Sequence, residues 1–313
     1  MNTLIDINAY PVADVLDILL QDKTTEENII FATDSYAACG SEYAEKSHIT
    51  KEKLLAMDTL ELQPRVLKSL EAQKLRTRVK AEVMTPSWIV CKMNDHCDEE
   101  WFGRPNVFTV LNGKEWTAAE GAVTFPEGRS WQEYVDCRKI EITCGEAPYI
   151  VSRYDVTTGE LIPVEKRVGF LDRKLRIVHE NASTEEEWHK WTRRAFQSSY
   201  GYEWQGDNLL IARINLLLTY AEYMEYSLHR QPTENELQSI ANVIVWNLWQ
   251  MDAFTCTIPY AEPQKEQEIK LFYDEFDAPS ENEKPICCIR DWRETGEGGK
   301  KHQFTEIKEK ESK

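Results

Sequence analysis

Residues 138–252 repeat one pattern: a short β-branched or aromatic run, a turn carrying glycine or an acid, then a stretch of helical spacing. The first round is Lys139-Ile140-Glu141-Ile142-Thr143, turning at Gly145. The second is Tyr200-Gly201-Tyr202-Glu203-Trp204, turning at Gly206, and the residues after it, 207–230, are apolar on most faces, as suits a helix buried against a sheet. The third is ANVIVWNLWQMD, residues 241–252, whose first half reads as the strand. Ser183 with Glu186, and Thr233 with Glu236, read as capping boxes that open two of the helices, because each hydroxyl can accept from a backbone N–H three residues on. Strands that alternate with helices run in one direction, so the pattern predicts an α/β fold with a largely parallel sheet.

The flanks differ in kind. Residues 1–82 carry apolar positions at helical spacing, interrupted by Pro64, and predict a helical N-terminal module. Beyond Met84, Pro86, Pro105, Asn112-Gly113 and Pro126 punctuate short segments, which predicts one more helix and several loops before the repeating region. Residues 262–313 are polar and charged, with Pro263, Pro279 and Pro285, and predict a loose, partly disordered tail in which ICCIRDW and QFTEIK form short edge strands or helices. The expected division is 1–82, a core at 83–261, and the tail at 262–313.

Composition removes several function classes. The apolar run at 209–218 is broken by Arg213 and Asn215 and falls short of the roughly 18 residues that cross a bilayer. The first twenty residues hold Asp6, Asp14 and Asp17 and no basic segment, so no secretory or transit peptide is expected, and the expected compartment is the cytoplasm. Eight cysteines without a CxxC pair read as reduced thiols. Cys91, His96 and Cys97 lie close together but lack zinc-site spacing, and no GxSxG, HExxH or GxxxxGK(S/T) occurs.

A net charge of −17 disfavours a nucleic-acid partner, because duplex binding draws on Lys and Arg to neutralise phosphates. Distribution qualifies that sum. Residues 61–80 set Arg65, Lys68, Lys74, Arg76, Arg78 and Lys80 against Glu61 and Glu71, and this is the stretch able to track a phosphate backbone. Its other reading is a solvated helix face.

A parallel sheet places ligands at the carboxyl ends of its strands. Gly145 after the first strand lets the backbone approach a ligand, Glu203 ending the second can accept from two ribose hydroxyls, and Asp252 closes the third. In that order they describe a nucleoside-type cofactor site.

Three segments resemble adenine-N6 DNA methyltransferases of restriction-modification systems over roughly residues 65–255. Glu82-Val83-Met84-Thr85-Pro86-Ser87-Trp88-Ile89-Val90, with Met93, is similar to the segment that helps close over S-adenosylmethionine in that family. Ile140-Glu141-Ile142-Thr143-Cys144-Gly145-Glu146-Ala147 is similar to its D-P-A-C-G-S-G loop, with Glu141 for Asp, Ile142 for Pro and Ala147 for the last Gly. Gly201-Tyr202-Glu203 and Ile211-Ala212-Arg213-Ile214-Asn215-Leu216-Leu217 resemble the G-x-E and (I/L)-A-R-x-N-L-L block most closely. The resemblance implies a Rossmann-like class I methyltransferase core at 83–261, with S-adenosylmethionine as cofactor. It places Thr85, with Pro86, and Glu141, with Thr143, at the methionine end. Gly145 marks the close backbone approach, Glu203, followed by Trp204, the ribose, and Asp252 the adenine.

The family's catalytic loop, (D/N/S)-P-P-(Y/F/W), has no counterpart. The nearest string is Thr257-Ile258-Pro259-Tyr260, with one proline and no polar acceptor in first position. The expectation is therefore a methyltransferase-like protein of a restriction-modification or phage-related system, incomplete as a catalyst alone, whose missing loop or target recognition a partner subunit supplies. The alternative is a non-catalytic interaction protein on the same fold, either an acidic DNA mimic or a partner-binding subunit.

Overall fold

The computed structural model describes residues 4–57, 62–80, 82–261, 285–294 and 298–306, with only the backbone of Val79 and Lys80. The chain is mixed α/β. In order its main elements are α1 (Val12–Leu19), α2 (Lys51–Ala56), α3 (Leu70–Lys80), α4 (Ser87–Phe102), β1 (Thr109–Asn112), β2 (Glu115–Ala118), α5 (Trp131–Asp136), β3 (Lys139–Glu141), α6 (Phe170–Asn181) and α7 (Glu185–Gln197). There follow β4 (Ser199–Glu203), α8 (Gly206–Leu228), α9 (Glu234–Asn247), β5 (Leu248–Gln250), β6 (Cys288–Asp291) and β7 (Lys300–Gln303).

The expected parallel sheet is present as three strands in the order β3-β4-β5, with Glu141 beside Gly201 and Glu203 beside Gln250. Every residue of β4 is buried, as befits the central strand. The long helix α8 is buried on most faces, and its polar residues are bonded inside. Arg213 donates to Leu248 O at 2.7 and 3.0 Å and to Leu19 O at 2.6 Å, and Asn215 donates to Glu146 O at 3.1 Å. Such pairing is what allows a guanidinium at 0% exposure.

Two helix starts differ in how they were read. Thr233 and Glu236 form the expected capping box on α9. The N-cap of α7 is Thr184, which accepts from Glu187 N–H, one residue later than Ser183 with Glu186, because Thr184 is the extended residue before the first turn. The expected strand in ANVIVW is instead the second half of α9, and the strand is Leu248–Gln250. The capping box launches a helix whose buried positions include Leu237, Ile240, Ile244 and Asn247, so β-branched residues there follow helical spacing. The helix ends where the Asn247 amide donates to Phe196 O and Ser199 O, at 2.8 and 3.0 Å.

Among the described residues there are also two antiparallel hairpins. β1 and β2 turn through Gly113 in the left-handed region, at φ 65°, a hairpin where loops were expected. β6 and β7 pack on the sheet, with Phe304 against the rings of Tyr202 and Trp249 and Cys287 wholly buried. This part of the expected loose tail is thus built into the protein. Residues 262–284, 295–297 and 307–313 lie outside the described residues.

Among the described residues the main hydrophobic core runs from Ile5 and Val12 through α8 and α9 to Trp292, with two small clusters around Tyr154 and Val90. The N-terminal segment joins it over the sheet. Ile30 N–H donates to the Gln250 amide at 3.0 Å, and that amide donates back to Ile30 O at 2.9 Å. No helix among the described residues is long and apolar enough to cross a membrane.

Candidate functional site

The carboxyl ends of β3, β4 and β5 gather most of the residues singled out in the sequence. Glu141 closes β3, and the loop after it holds Thr143, Gly145 and Ala147 at φ 47°, 55° and 65°. Alternate left-handed residues curl the backbone tightly. A Cβ at Gly145 would meet nothing within 4 Å, so glycine is favoured there by conformation, and the backbone faces open space. Gly145 N–H donates to Glu203 Oε2 at 2.9 Å, and Gln205 N–H donates to Oε1 at 3.1 Å. The β3 loop and the end of β4 are therefore joined through one carboxylate.

That carboxylate is 7% exposed, and burial raises its pKa to about 7 against the lowering effect of the two backbone donors. Two neighbours are similar. Glu141 accepts from Ile150 N–H at 3.1 Å, and burial holds it well above the usual carboxylate range. Glu146 accepts from Arg65 N–H and the Tyr154 hydroxyl, both at 2.6 Å, and burial raises it to about 6. Glu141 thus points into the protein rather than toward the open side of the loop.

Asp252 follows β5 by two residues. Its Oδ1 accepts from Phe254 N–H at 2.8 Å in a tight turn that leaves Phe254 98% exposed. Trp204 is held from two sides, its indole N–H on Ala32 O at 3.1 Å and its ring 5.3 Å from that of Tyr260. Tyr260 itself donates to Glu45 at 3.1 Å, so Thr257-Ile258-Pro259-Tyr260 is fastened to the N-terminal segment.

Thr85 and Pro86 are half-buried in the lead into α4, where Pro86 is the N-cap residue. What ties their segment to the site is Glu82. Arg76 Nε donates to Glu82 Oε2 at 2.7 Å, while its Nη2 reaches Asp207 Oδ2 at 2.9 Å, in the first turn of α8 directly beyond Glu203. Asn208 also donates to Glu82 at 2.6 Å. Sequence reasoning missed this cluster, since a charged residue buried by a distant partner carries no local signature.

The same cluster corrects the reading of the basic stretch. Arg76 is 4% exposed and spent on Glu82 and Asp207. Arg65 pairs with Glu82 at 3.4 Å and donates to Gln73 O and the Thr77 hydroxyl, and Lys68 donates to the Tyr36 hydroxyl. Lys74 and Arg78 are exposed, and the side chain of Lys80 lies outside the described residues. Six cations in a phosphate-tracking row are not what the stretch presents.

Cys91 is buried, with hydrogen bonds to Thr109 and Asp95, and His96 is at the surface, whereas Cys97 is an exposed thiol where a buried one is expected. Among the described residues no group of three His, Cys, Asp or Glu could hold a metal ion. Comparison with protein-family models, curated proteins and solved structures returns no match to this chain.

Proposed function

We propose that the chain is an S-adenosylmethionine-binding protein resembling adenine-N6 DNA methyltransferases, with a Rossmann-like core at 83–261, and that alone it does not turn over. The observation that carries this reading is the Gly145 to Glu203 link at the carboxyl ends of adjacent parallel strands, with Asp252 two residues beyond the next strand in line. The residues fit the group at three points. Gly145 leaves open backbone, Glu203 keeps acceptor capacity beyond its two backbone donors, and Asp252 is half-buried beside it in the strand order. Glu203 would hold ribose hydroxyls, Asp252 the adenine, and Thr85, Pro86, Thr143 and Trp204 would border the pocket; Glu141, turned inward, would brace the loop. The cofactor, when bound, supplies an electrophilic methyl group.

Turnover asks for more than binding. The adenine amino group needs an acceptor that positions it and an aromatic surface for the extruded base. Tyr260, with its hydroxyl on Glu45, and the single Pro259 do not provide that pair. Losing one such positioned acceptor costs about 10² to 10³ in rate.

A second reading, a partner-binding subunit, is favoured by the sheet edge. β3 is an outer strand, and Ile140 on it and Ile142 just beyond its end are 45% and 65% exposed, where parallel sheets are normally covered. A partner carrying the missing loop would add there. Among the described side chains of the basic stretch, Lys74 and Arg78 are the exposed cations that DNA contact would use.

Calorimetry with S-adenosylmethionine and its demethylated product tests the binding claim. Glu203→Ala should weaken binding by about 1–3 kcal/mol, the cost of ribose hydroxyls losing a charged acceptor. Absence of heat and of a thermal shift at millimolar cofactor would overturn it. Labelled methyl transfer to mixed-sequence DNA should be negligible for the single chain and restored by co-expression with a neighbouring frame carrying an N-P-P-Y loop.

A further inference from the structure

A groove of about 630 Å³ lies between α5 and α7. It sits at the amino ends of the parallel strands, because α5 ends at Asp136 just before β3 and α7 ends at Gln197 just before β4. It shares no residue with the carboxyl-end loops. Its volume is typical of small-ligand sites.

The lining combines two kinds of group. Lys190, Arg193, Arg194 and Gln197 follow one another at helical spacing and form a single stripe of α7. Trp191 and Trp292 add indole surface, and both rings are fixed. Trp292 Nε1 donates to the buried Asn247 Oδ1 at 2.7 Å, and Trp191 packs 5.0 Å from Trp131.

Of the acidic side chains of the groove, Asp136 is neutralised and Glu133 keeps its negative charge, which Lys190 and Arg193 outweigh. Glu133 accepts from the N–H and hydroxyl of Ser130 in the α5 capping box, and Asp136 is taken by the Arg194 and Arg293 guanidinium groups. Lys190 and Arg193 are exposed; Arg193 donates to the Ser239 hydroxyl at 2.9 Å and Lys190 lies 5.6 Å over the Trp191 ring. On a chain of net charge −17, two available cations beside two oriented indoles are a local reversal of sign.

We infer that this groove binds a nucleotide, a flat heteroaromatic ring bearing phosphate. The phosphate meets Lys190 and Arg193, and the ring packs on half-buried Trp191, with the largely buried Trp292 beside it. A bare phosphate would leave the indoles unused, and an apolar ligand would leave the cations unmatched. Free nucleotide and single-stranded DNA carry this same chemistry, and the experiment separates them.

The test is calorimetric titration of the full chain with dAMP, inorganic phosphate and adenosine, together with fluorescence anisotropy of a labelled thymidine octamer. dAMP should bind with a dissociation constant below about 1 mM, and phosphate and adenosine each roughly tenfold more weakly or worse. The double variant Lys190→Glu/Arg193→Glu changes only exposed positions and should weaken dAMP at least about tenfold with an unaltered melting curve. If it melts early, Lys190→Gln/Arg193→Gln takes its place. An octamer that binds more tightly than dAMP assigns the site to a strand, and one that binds no more tightly assigns it to free nucleotide. No heat with dAMP, equal affinity for phosphate alone, or unchanged affinity in a folded double variant would overturn the inference. Because the charge reversals lie at the amino ends of the strands, adenine binding at the carboxyl-end loops would survive them and be told apart.

Discussion

Arg76 Nε donates to Glu82 Oε2 at 2.7 Å with the two side chains only 4% and 5% exposed. The contact joins α3 to the segment that leads through Thr85 into α4, and through Asp207 it reaches the first turn of α8. Three parts of the chain that border the candidate site are thus held at one guanidinium.

Breaking this pair should be costly, because the buried Asp207 loses its guanidinium partner and Glu82 keeps, of its two, only the longer contact to Arg65 at 3.4 Å. Arg76→Met should lower unfolding free energy by roughly 3–5 kcal/mol, read from the urea midpoint, while Lys74→Met on the exposed side of α3 should change it by less than about 0.5 kcal/mol. Equal effects at the two positions would show that the cluster adds nothing beyond surface charge.

Acidity should act on this protein in two opposed ways. Burial raises the carboxyl groups of Glu203 to about 7 and of Glu146 and Asp172 to about 6. A raised pKa means the folded state holds the proton more tightly, so this contribution is complete below the ordinary carboxyl range and is lost as pH climbs through 6 and 7. Asp98, Asp207 and Glu222 are also buried, but Arg173 with Lys139, Arg76, and Arg167 with Arg153, respectively, hold them below their ordinary range. Their contribution is present above that range and lost as pH falls beneath it. The melting temperature should therefore peak near the ordinary carboxyl range, about pH 4–4.5, and fall by roughly 5 °C toward pH 8. Glu203→Gln, which cannot ionise, should flatten the fall near pH 7; a curve parallel to the wild type would remove Glu203 from the account.

Glycine is required at 206 for a different reason than at 145. A Cβ at Gly206 would stand 1.9 Å from Ile30 O, a backbone atom, and Gly206 N–H donates to Phe31 O at 2.9 Å. Gly206→Ala should therefore push the N-terminal segment off the sheet, costing about 3 kcal/mol or more and opening residues near Ile30 to limited proteolysis. Gly145→Ala meets no atom and should cost only about 1 kcal/mol, from its left-handed backbone. Comparable losses at the two sites would contradict this difference.

What could be read in the chain was what short-range chemistry encodes. Lys139-Ile140-Glu141 and Tyr200-Gly201-Tyr202-Glu203 are strands, the apolar run after Gly206 is a helix, and Thr233 with Glu236 caps the next one. The approach of Gly145 to Glu203 was foreshadowed by their order, since parallel strands bring their carboxyl ends together. ANVIVW was misread because β-branched residues suit a strand and a buried helix equally, and the choice fell to packing against α1 and α8.

By itself, then, the sequence determined the alternation of strand and helix, the glycine and acid turns, and the capping of α9, all set by neighbours within a few residues. Only the tertiary structure decided that Arg76 lies inside, that Glu141 turns inward to Ile150, that a C-terminal hairpin covers Tyr202 and Trp249, and that α5 and α7 enclose a groove of cations and indoles. A residue's identity states its charge and size. Whether that charge is desolvated and paired depends on atoms as many as 131 positions away, as Arg76 and Asp207 are, and no local pattern carries that information.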